Sequence, residues 1–402
     1  MSRRPISHSA DLQRLLAEGY DLRIEAGFLI VRGIPYVDPR RRVRRGMLVS
    51  RLDLAGDRTV SPRDHMAWFA GLTPCDTAGQ PLRSMVHLTR SEDLAPGLRV
   101  DVLLCSRPLG REFVDYHEKV VTFARQLSGP AEALEPTAHA TTGRPIVDER
   151  GESAFRYADT ASSRAGITSL SERLRDHAVA IVGLGGTGSY VLDLVSKTPV
   201  RSIHLFDDDD FLQHNVFRSP GAADLDTLRA RPSKVGHFAA IYSRLHRGIV
   251  PHRKRIVPNM YGFLEGMDFV FVCVDGTRDR AALARHLQSR SVPFVDLGIG
   301  LHVGDAGIGG VARVTTSAAG GHQRIWDRDR LPSHAAGADD AYATNVQIAD
   351  LNALAATLGV IRWKKLCGFY ADLEHERFTT YSLDGNHLLN EDPCGAEGSD
   401  DA

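Results

Sequence analysis

The sequence predicts an α/β protein, with a doubly wound parallel-sheet domain in its C-terminal half preceded by a smaller α+β domain. Three observations carry this reading. At 402 residues the chain exceeds what one hydrophobic core usually organises, so two domains are expected. A continuous apolar run, Ala178–Val182, leads into a glycine-rich turn and then into a helix-forming segment, Ser189–Lys197, the order of a strand–turn–helix unit. The first half instead mixes short strand-like segments with amphipathic stretches at either end, which suits an α+β arrangement.

In chain order, Asp11–Glu18 has the apolar spacing of a short helix, and Leu22–Glu25 with Phe28–Val31 reads as a hairpin-like pair. Arg40, Arg41, Arg42, Arg44 and Arg45 precede a strand-like Met47–Leu54; such a run can meet phosphate or an acidic protein, but a solvated charged turn is the plainer expectation. Val100–Leu104 reads as a strand. Phe113–Leu127 sets Phe113, Tyr116, Val120, Phe123 and Leu127 at helical spacing and is expected to close the first domain. Gly129–Gly151, rich in Pro, Thr, Ala and Gly, reads as the linker. The domains are therefore expected at residues 1–155 and 156–390, followed by a disordered acidic tail at 391–402.

A composition of 43% hydrophobic, 25% charged and 7% aromatic residues is that of a globular protein. With 49 basic and 50 acidic side chains the formal charge is −1, so there is no electrostatic ground for a nucleic-acid or anionic-membrane partner. No run of about 18 apolar residues occurs, and none follows the N-terminal arginines; a cytoplasmic location is expected. The cysteines are scattered without a C-x-x-C pair, and His65, His87 and His117 lack ligand spacing, so no zinc site is expected.

Gly183, Gly185 and Gly188 form a G-x-G-x-x-G turn that also contains Gly186. Small residues let the backbone turn tightly and bring amide hydrogens and a helix N-terminus against phosphate oxygens. A second strand, Ser202–Phe206, ends at Asp207, where a carboxylate can accept both ribose hydroxyls. A nicotinamide-dependent dehydrogenase would use the same parts.

The residues that follow separate the two readings. Asp207 to Arg218 reads D-x-D-x5-N-x2-R, with Asp209, Asn215 and Arg218 as its later members; Lys234 opens a helix, and Asp275 follows the apolar strand Phe269–Val274. Nucleotidyl transfer needs such a set, because charge growing on the phosphates must be met by cations and a metal-holding carboxylate.

With the glycine turn, this set resembles the ThiF/MoeB/HesA and ubiquitin-activating enzyme family over roughly residues 157–389, which implies a Rossmann-like ThiF-type nucleotide-binding domain. The resemblance implies ATP and Mg2+ as ligands. Asp207 would hold the ribose, with Asp209 beside it; Asn215, Arg218 and Lys234 would contact phosphates, and Asp275 would bind magnesium. It further implies that Arg164, ahead of the turn, supplies an additional arginine, often across a homodimer. The partners implied are a ubiquitin-like protein whose C-terminal carboxylate is adenylated and a conjugating enzyme. Two departures stand out: the family's NLxRQ is NVFRS here, with Val216 and Ser219, and residues 313–345 lack the cysteine that many relatives use for a thioester.

The acyl group is thus expected to stop as the adenylate, to pass to a hydroxyl of Thr315, Thr316, Ser317 or Ser333, which would need a neighbouring base, or to pass to another cysteine. Cys75, in the turn-like GLTPCDTAGQPL, is expected to be the exposed one; Cys273 and Cys367 are expected in the core. Asn345–Lys365 reads as a long helix with an apolar face, and Thr379–Leu383 with His387–Leu389 as a terminal strand pair. The N-terminal half is similar to an uncharacterised domain fused to bacterial ThiF-like proteins. It is expected to dock a partner or to act as a conjugating-enzyme-like module with Cys75 or Cys105 as acceptor. Adenylation of a small molecule or tRNA base, a dehydrogenase and a non-catalytic ATP-binding scaffold are the alternatives.

Overall fold

The computed structural model describes residues 4–108, 111–141, 153–157, 159–165, 167–274, 277–318, 324–331 and 347–391. They fall into two compact units, Met1–Glu172 and Arg173–Ala402.

The first unit is built on an antiparallel sheet of β1 (Asp21–Glu25), β2 (Phe28–Val37), β3 (Val43–Arg51), β6 (Met66–Ala70), β7 (Val86–Ala95) and β8 (Leu98–Cys105), in the order β1-β2-β3-β6-β8-β7. Two short strands, β4 (Leu54–Ala55) and β5 (Arg58–Thr59), pair separately. The expected first hairpin is present: Glu25 pairs with Phe28, and both residues of its turn, Ala26 and Gly27, have positive φ (50° and 78°), as a two-residue hairpin turn demands. One face of the sheet packs Leu29, Val31, Leu48 and Leu104 against Leu12 and Leu15 of the helix Ala10–Ala17 and Val120, Phe123 and Leu127 of the helix Tyr116–Leu134. Ile30 and Val49, one step along their strands, belong to a second cluster, as a two-residue period dictates.

Two expectations are corrected in this unit. The closing helix starts at Tyr116, after Asp115 caps it by accepting the Glu118 amide, and runs to Leu134 with Pro130 inside it. It thus consumes the start of the expected linker, because Leu127 and Ala131 continue its buried face. The arginine run is solvent-exposed as expected, but Arg44 and Arg45 belong to β3 and not to the turn. Its centre is Asp38, which is buried and accepts the amides of Arg40 (2.8 Å) and Arg42 (3.0 Å) and the guanidinium groups of Arg42 (3.1 Å) and Arg44 (2.7 Å). Burial alone would raise its pKa, but these donors prevail and hold the carboxyl well below the usual range.

The second unit is an eight-stranded mixed sheet: β9 (Ala178–Val182), β10 (Ser202–Phe206), β11 (Ile249–His252), β12 (Phe269–Val272), β13 (Phe294–Gly304), β14 (Gly307–Ser317), β15 (Phe378–Ser382) and β16 (His387–Glu391). The order is β11-β10-β9-β12-β13-β14-β15-β16, parallel as far as β13 and antiparallel beyond it. The central strands are buried on both faces. Val179 and Ile181 join a core with the helices Gly186–Val195, Lys234–Tyr242 and Ala349–Leu366, whereas Ala180 and Val182 join one with the helix Thr277–Ser289. This is why β9 reads as an unbroken apolar run. The expected long helix is Ala349–Leu366, and the terminal strand pair is present as β15 and β16. The acidic tail lies outside the described residues from 392 onward.

Candidate active site

The strand order reverses between β9 and β12, which opens a crevice at their carboxyl ends. The glycine turn fills that place. Gly183 has φ +91°, and a Cβ there would sit 2.5 Å from the Cys273 carbonyl oxygen, so only glycine lets the two strand ends approach. A Cβ at Gly188 would overlap the Gly183 carbonyl, and one at Gly186 would overlap the Asn352 side chain. Gly185 differs. It precedes the helix Gly186–Val195, and a Cβ there would meet nothing within 4 Å. The turn is thus pressed against protein at three glycines and faces open space at the fourth, beside the unpaired amides of a helix N-terminus.

Asp207 directly follows β10 and accepts the Leu184 amide of the turn at 2.7 Å and the Asp209 amide at 3.0 Å. Lys234, the first residue of its helix, reaches both acids: its Nζ is 2.6 Å from Asp209 and 3.4 Å from Asp207. The hydrogen bond from Lys234 is the main reason that the Asp209 carboxyl titrates below its ordinary value, with smaller help from the charges of Arg255 and Arg218. Asp207, Asp208 and Asp209 bring carboxylate oxygens within 4.8 Å of one another.

Asn215 and Arg218 stand on the next turn of chain. The Asn215 carbonyl oxygen of the side chain accepts the Leu212 amide at 2.8 Å. Its Nδ2, and the Nε of Arg218, are buried with no hydrogen-bond partner among the described residues. Ser219, the departure from the family's glutamine, donates its hydroxyl to the Asn215 main-chain carbonyl at 2.7 Å and so stabilises this turn locally. A residue absent from the sequence reading joins the parts: Asn352, on the helix Ala349–Leu366, accepts from the Thr187 hydroxyl at 2.9 Å and donates to the Arg218 carbonyl at 3.4 Å. Its only sequence signal is an amide amid an apolar helix face.

Residues 159–324 match the ThiF family, and residues 10–160 match a domain of unknown function (DUF6791). Most of the ThiF match lies in the second unit. The chain is similar to ubiquitin-like modifier-activating enzyme 5 of Drosophila simulans and of Drosophila melanogaster, each 31% identical over 157 residues, or 35% of this chain and 37% of the relative. It therefore spans about 37% of the length of these curated relatives. Among solved structures it is similar to E. coli MccB (15% identity, TM-score 0.46, covering 59% of this chain and 72% of that one) and to E. coli MccB with ATP (15%, TM-score 0.43, 59% and 74%).

Around this ThiF domain the other expected residues fare unequally. Asp275 and Ser333 lie outside the described residues. Val274, the last described residue before Asp275, has its carbonyl held by the Arg280 guanidinium, which is itself 3.2 Å from the buried Asp296. Arg164 lies on the helix Thr160–Ala165 of the first unit, and its side chain is outside the described set. Three acceptor candidates are corrected by their burial: Thr315, Thr316 and Ser317, on β14, are 0%, 1% and 0% exposed. The Thr315 hydroxyl donates to the Arg330 carbonyl and accepts from Arg313, and Ser317 accepts from Gln288.

Cys75 is corrected likewise. It is 0% exposed, bridges Val37 and Pro81, and burial raises its thiol pKa, the opposite of a reactive thiolate. Cys367 is pushed up to about 12 by burial, as a core residue should be, and Cys273 packs partly buried against the core. Cys105 remains half-buried at the end of β8, lining a cavity of about 430 Å³ with Ser84, Arg107 and Gln126. No helix among the described residues is long and apolar enough to cross a membrane.

Proposed function

We propose that the ThiF-type domain uses Mg-ATP to adenylate the C-terminal carboxylate of a ubiquitin-like protein. A carboxylate oxygen attacks the α-phosphorus, the α–β phosphoanhydride bond breaks, and pyrophosphate leaves as the acyl-adenylate forms. The observation that carries the reading is the pair of buried donors without partners, Asn215 Nδ2 and Arg218 Nε. Buried polar hydrogens are rarely left unpaired in a finished site, and phosphate oxygens are the acceptors that match donors held beside a glycine turn. Lys234, now paired with Asp209, supplies a second cation that phosphate can share. Asp207 serves the ribose. Magnesium, held by Asp275 in this reading, would neutralise charge on the leaving pyrophosphate.

Because Thr315, Thr316, Ser317 and Cys75 are enclosed, the reading ends at the adenylate, from which a conjugating enzyme or another nucleophile takes the acyl group. A homodimer completed by Arg164, and a cytoplasmic location, belong to the same reading. The test is magnesium-dependent exchange of labelled pyrophosphate into ATP in the presence of purified ubiquitin-like proteins. Exchange is expected with a cognate partner only, and Arg218→Ala should lower it by about 100-fold or more, the usual scale for one lost transition-state donor. Exchange unaffected by Arg218→Ala, or none with any carboxylate-terminated partner, overturns the proposal.

A further inference from the structure

Asn352 is 0% exposed although its helix turns a largely apolar face to the core, with Leu351, Ala355, Ala356, Val360 and Trp363 also buried. A buried side-chain amide is retained at a cost unless all its polar atoms are used. Here both ends are. The Arg218 carbonyl can only accept, so the amide nitrogen must face it (3.4 Å); that leaves Oδ1 for the Thr187 hydroxyl, which donates at 2.9 Å. Thr187 lies in the first turn of the helix after the glycine loop, and Arg218 ends the Asn215 turn. Gly186 is pressed so closely on Asn352 that any side chain there would displace the amide.

We infer that Asn352 is a positioning residue, which fixes the Arg218 main chain to the helix at the phosphate turn and thereby aims the Arg218 guanidinium at a bound triphosphate. The inference rests on the nucleotide reading above and deepens it. It also gives Gly186 a second duty: its missing side chain makes room for the amide. The clamp is expected to act on phosphate contacts, since among the described residues Thr187, Asn352 and Arg218 make no hydrogen bond to Asp207, the residue assigned to the ribose.

The test compares binding of Mg-ATP and of adenosine to the full chain by titration calorimetry. Asn352→Leu and the near-isosteric Thr187→Val are expected to weaken Mg-ATP binding by roughly tenfold or more while leaving adenosine affinity unchanged, because an ångström of misplacement has effects of that size or larger. Thr187→Ser, which keeps the hydroxyl, should restore the wild-type ratio. Val360→Ala on the same helix serves as the control, destabilising the core without altering that ratio. Should Asn352→Leu fail to fold, Thr187→Val carries the test. A wild-type chain that binds no Mg-ATP sinks the nucleotide reading itself; a wild type that binds it, with an unchanged ratio in Thr187→Val, removes the clamp alone.

Discussion

His246 shows how one enclosed side chain ties stability to pH. It lies between the helix Lys234–Tyr242 and β11, its Nε2 donating to the Val200 carbonyl (3.0 Å) and its Nδ1 accepting the Gly248 amide (3.0 Å). Only the neutral imidazole satisfies both, and burial lowers its pKa from 6.5 to about 4. Between those values the unfolded chain binds more protons than the folded one, so stability is complete above pH 6.5 and falls as pH drops towards 4. The whole window is worth about 3 kcal/mol. The urea midpoint of the wild type should therefore decline faster than that of His246→Gln from pH 7 to pH 4.5; parallel declines would refute the assignment. Other histidines with lowered pKa, among them His204 and His237, titrate in both proteins and cancel in the comparison. At this scale the spacing singled out Asp207, Asp209 and Lys234, and the structure brings the lysine within 3.4 Å of the first and 2.6 Å of the second. The sequence failed for Cys75, where a turn composition suggested exposure but pairing with Val37 and Pro81 buried the thiol. Asn352 escaped because its partners lie about 130 and 165 residues away.

The strand–turn–helix of β9 and Gly186–Val195 offers a test that separates folding from binding. At Gly188 an added methyl group collides with main chain, whereas at Gly185 it enters open space and the backbone (φ −71°) suits any residue. Gly188→Ala should cost at least about 2 kcal/mol of stability, read as a lowered denaturation midpoint. Gly185→Ala should leave that midpoint within about 0.5 kcal/mol of wild type yet weaken Mg-ATP binding, if phosphate occupies the space; equal loss of stability in both variants would contradict the geometry. Elements of this kind were legible because β9, buried on both faces, must be apolar throughout, and its glycines must be small. The helix Tyr116–Leu134 was misread at its end, since Gly129 and Pro130 signal a break locally while Leu127 and Ala131 pack onto the sheet. Tertiary burial outweighed the local preference.

Across the molecule, two compact units with separate cores predict two thermal transitions in calorimetry. Saturating Mg-ATP at about 100 times its dissociation constant should raise only one of them, by an amount equivalent to about 2.7 kcal/mol; a single transition, or equal shifts in both, would count against independent units. The doubly wound architecture was predictable from alternating strand and helix signals in the second half. Of the antiparallel extension only the last two strands, β15 and β16, were visible; β14 was not, because polar Thr315, Thr316 and Ser317 fill its buried end.

The adjacency of β9 and β12 has a kinetic corollary. At the carboxyl ends the Cys273 amide donates to the Val182 carbonyl at 2.8 Å across roughly 90 positions of chain, so the crevice closes only after a long stretch has been ordered between its walls. Such non-local pairing is slow to find. During synthesis, the glycine turn leaves the ribosome well before the strand it must lie against, and a ligand that needs both walls is captured only late in maturation.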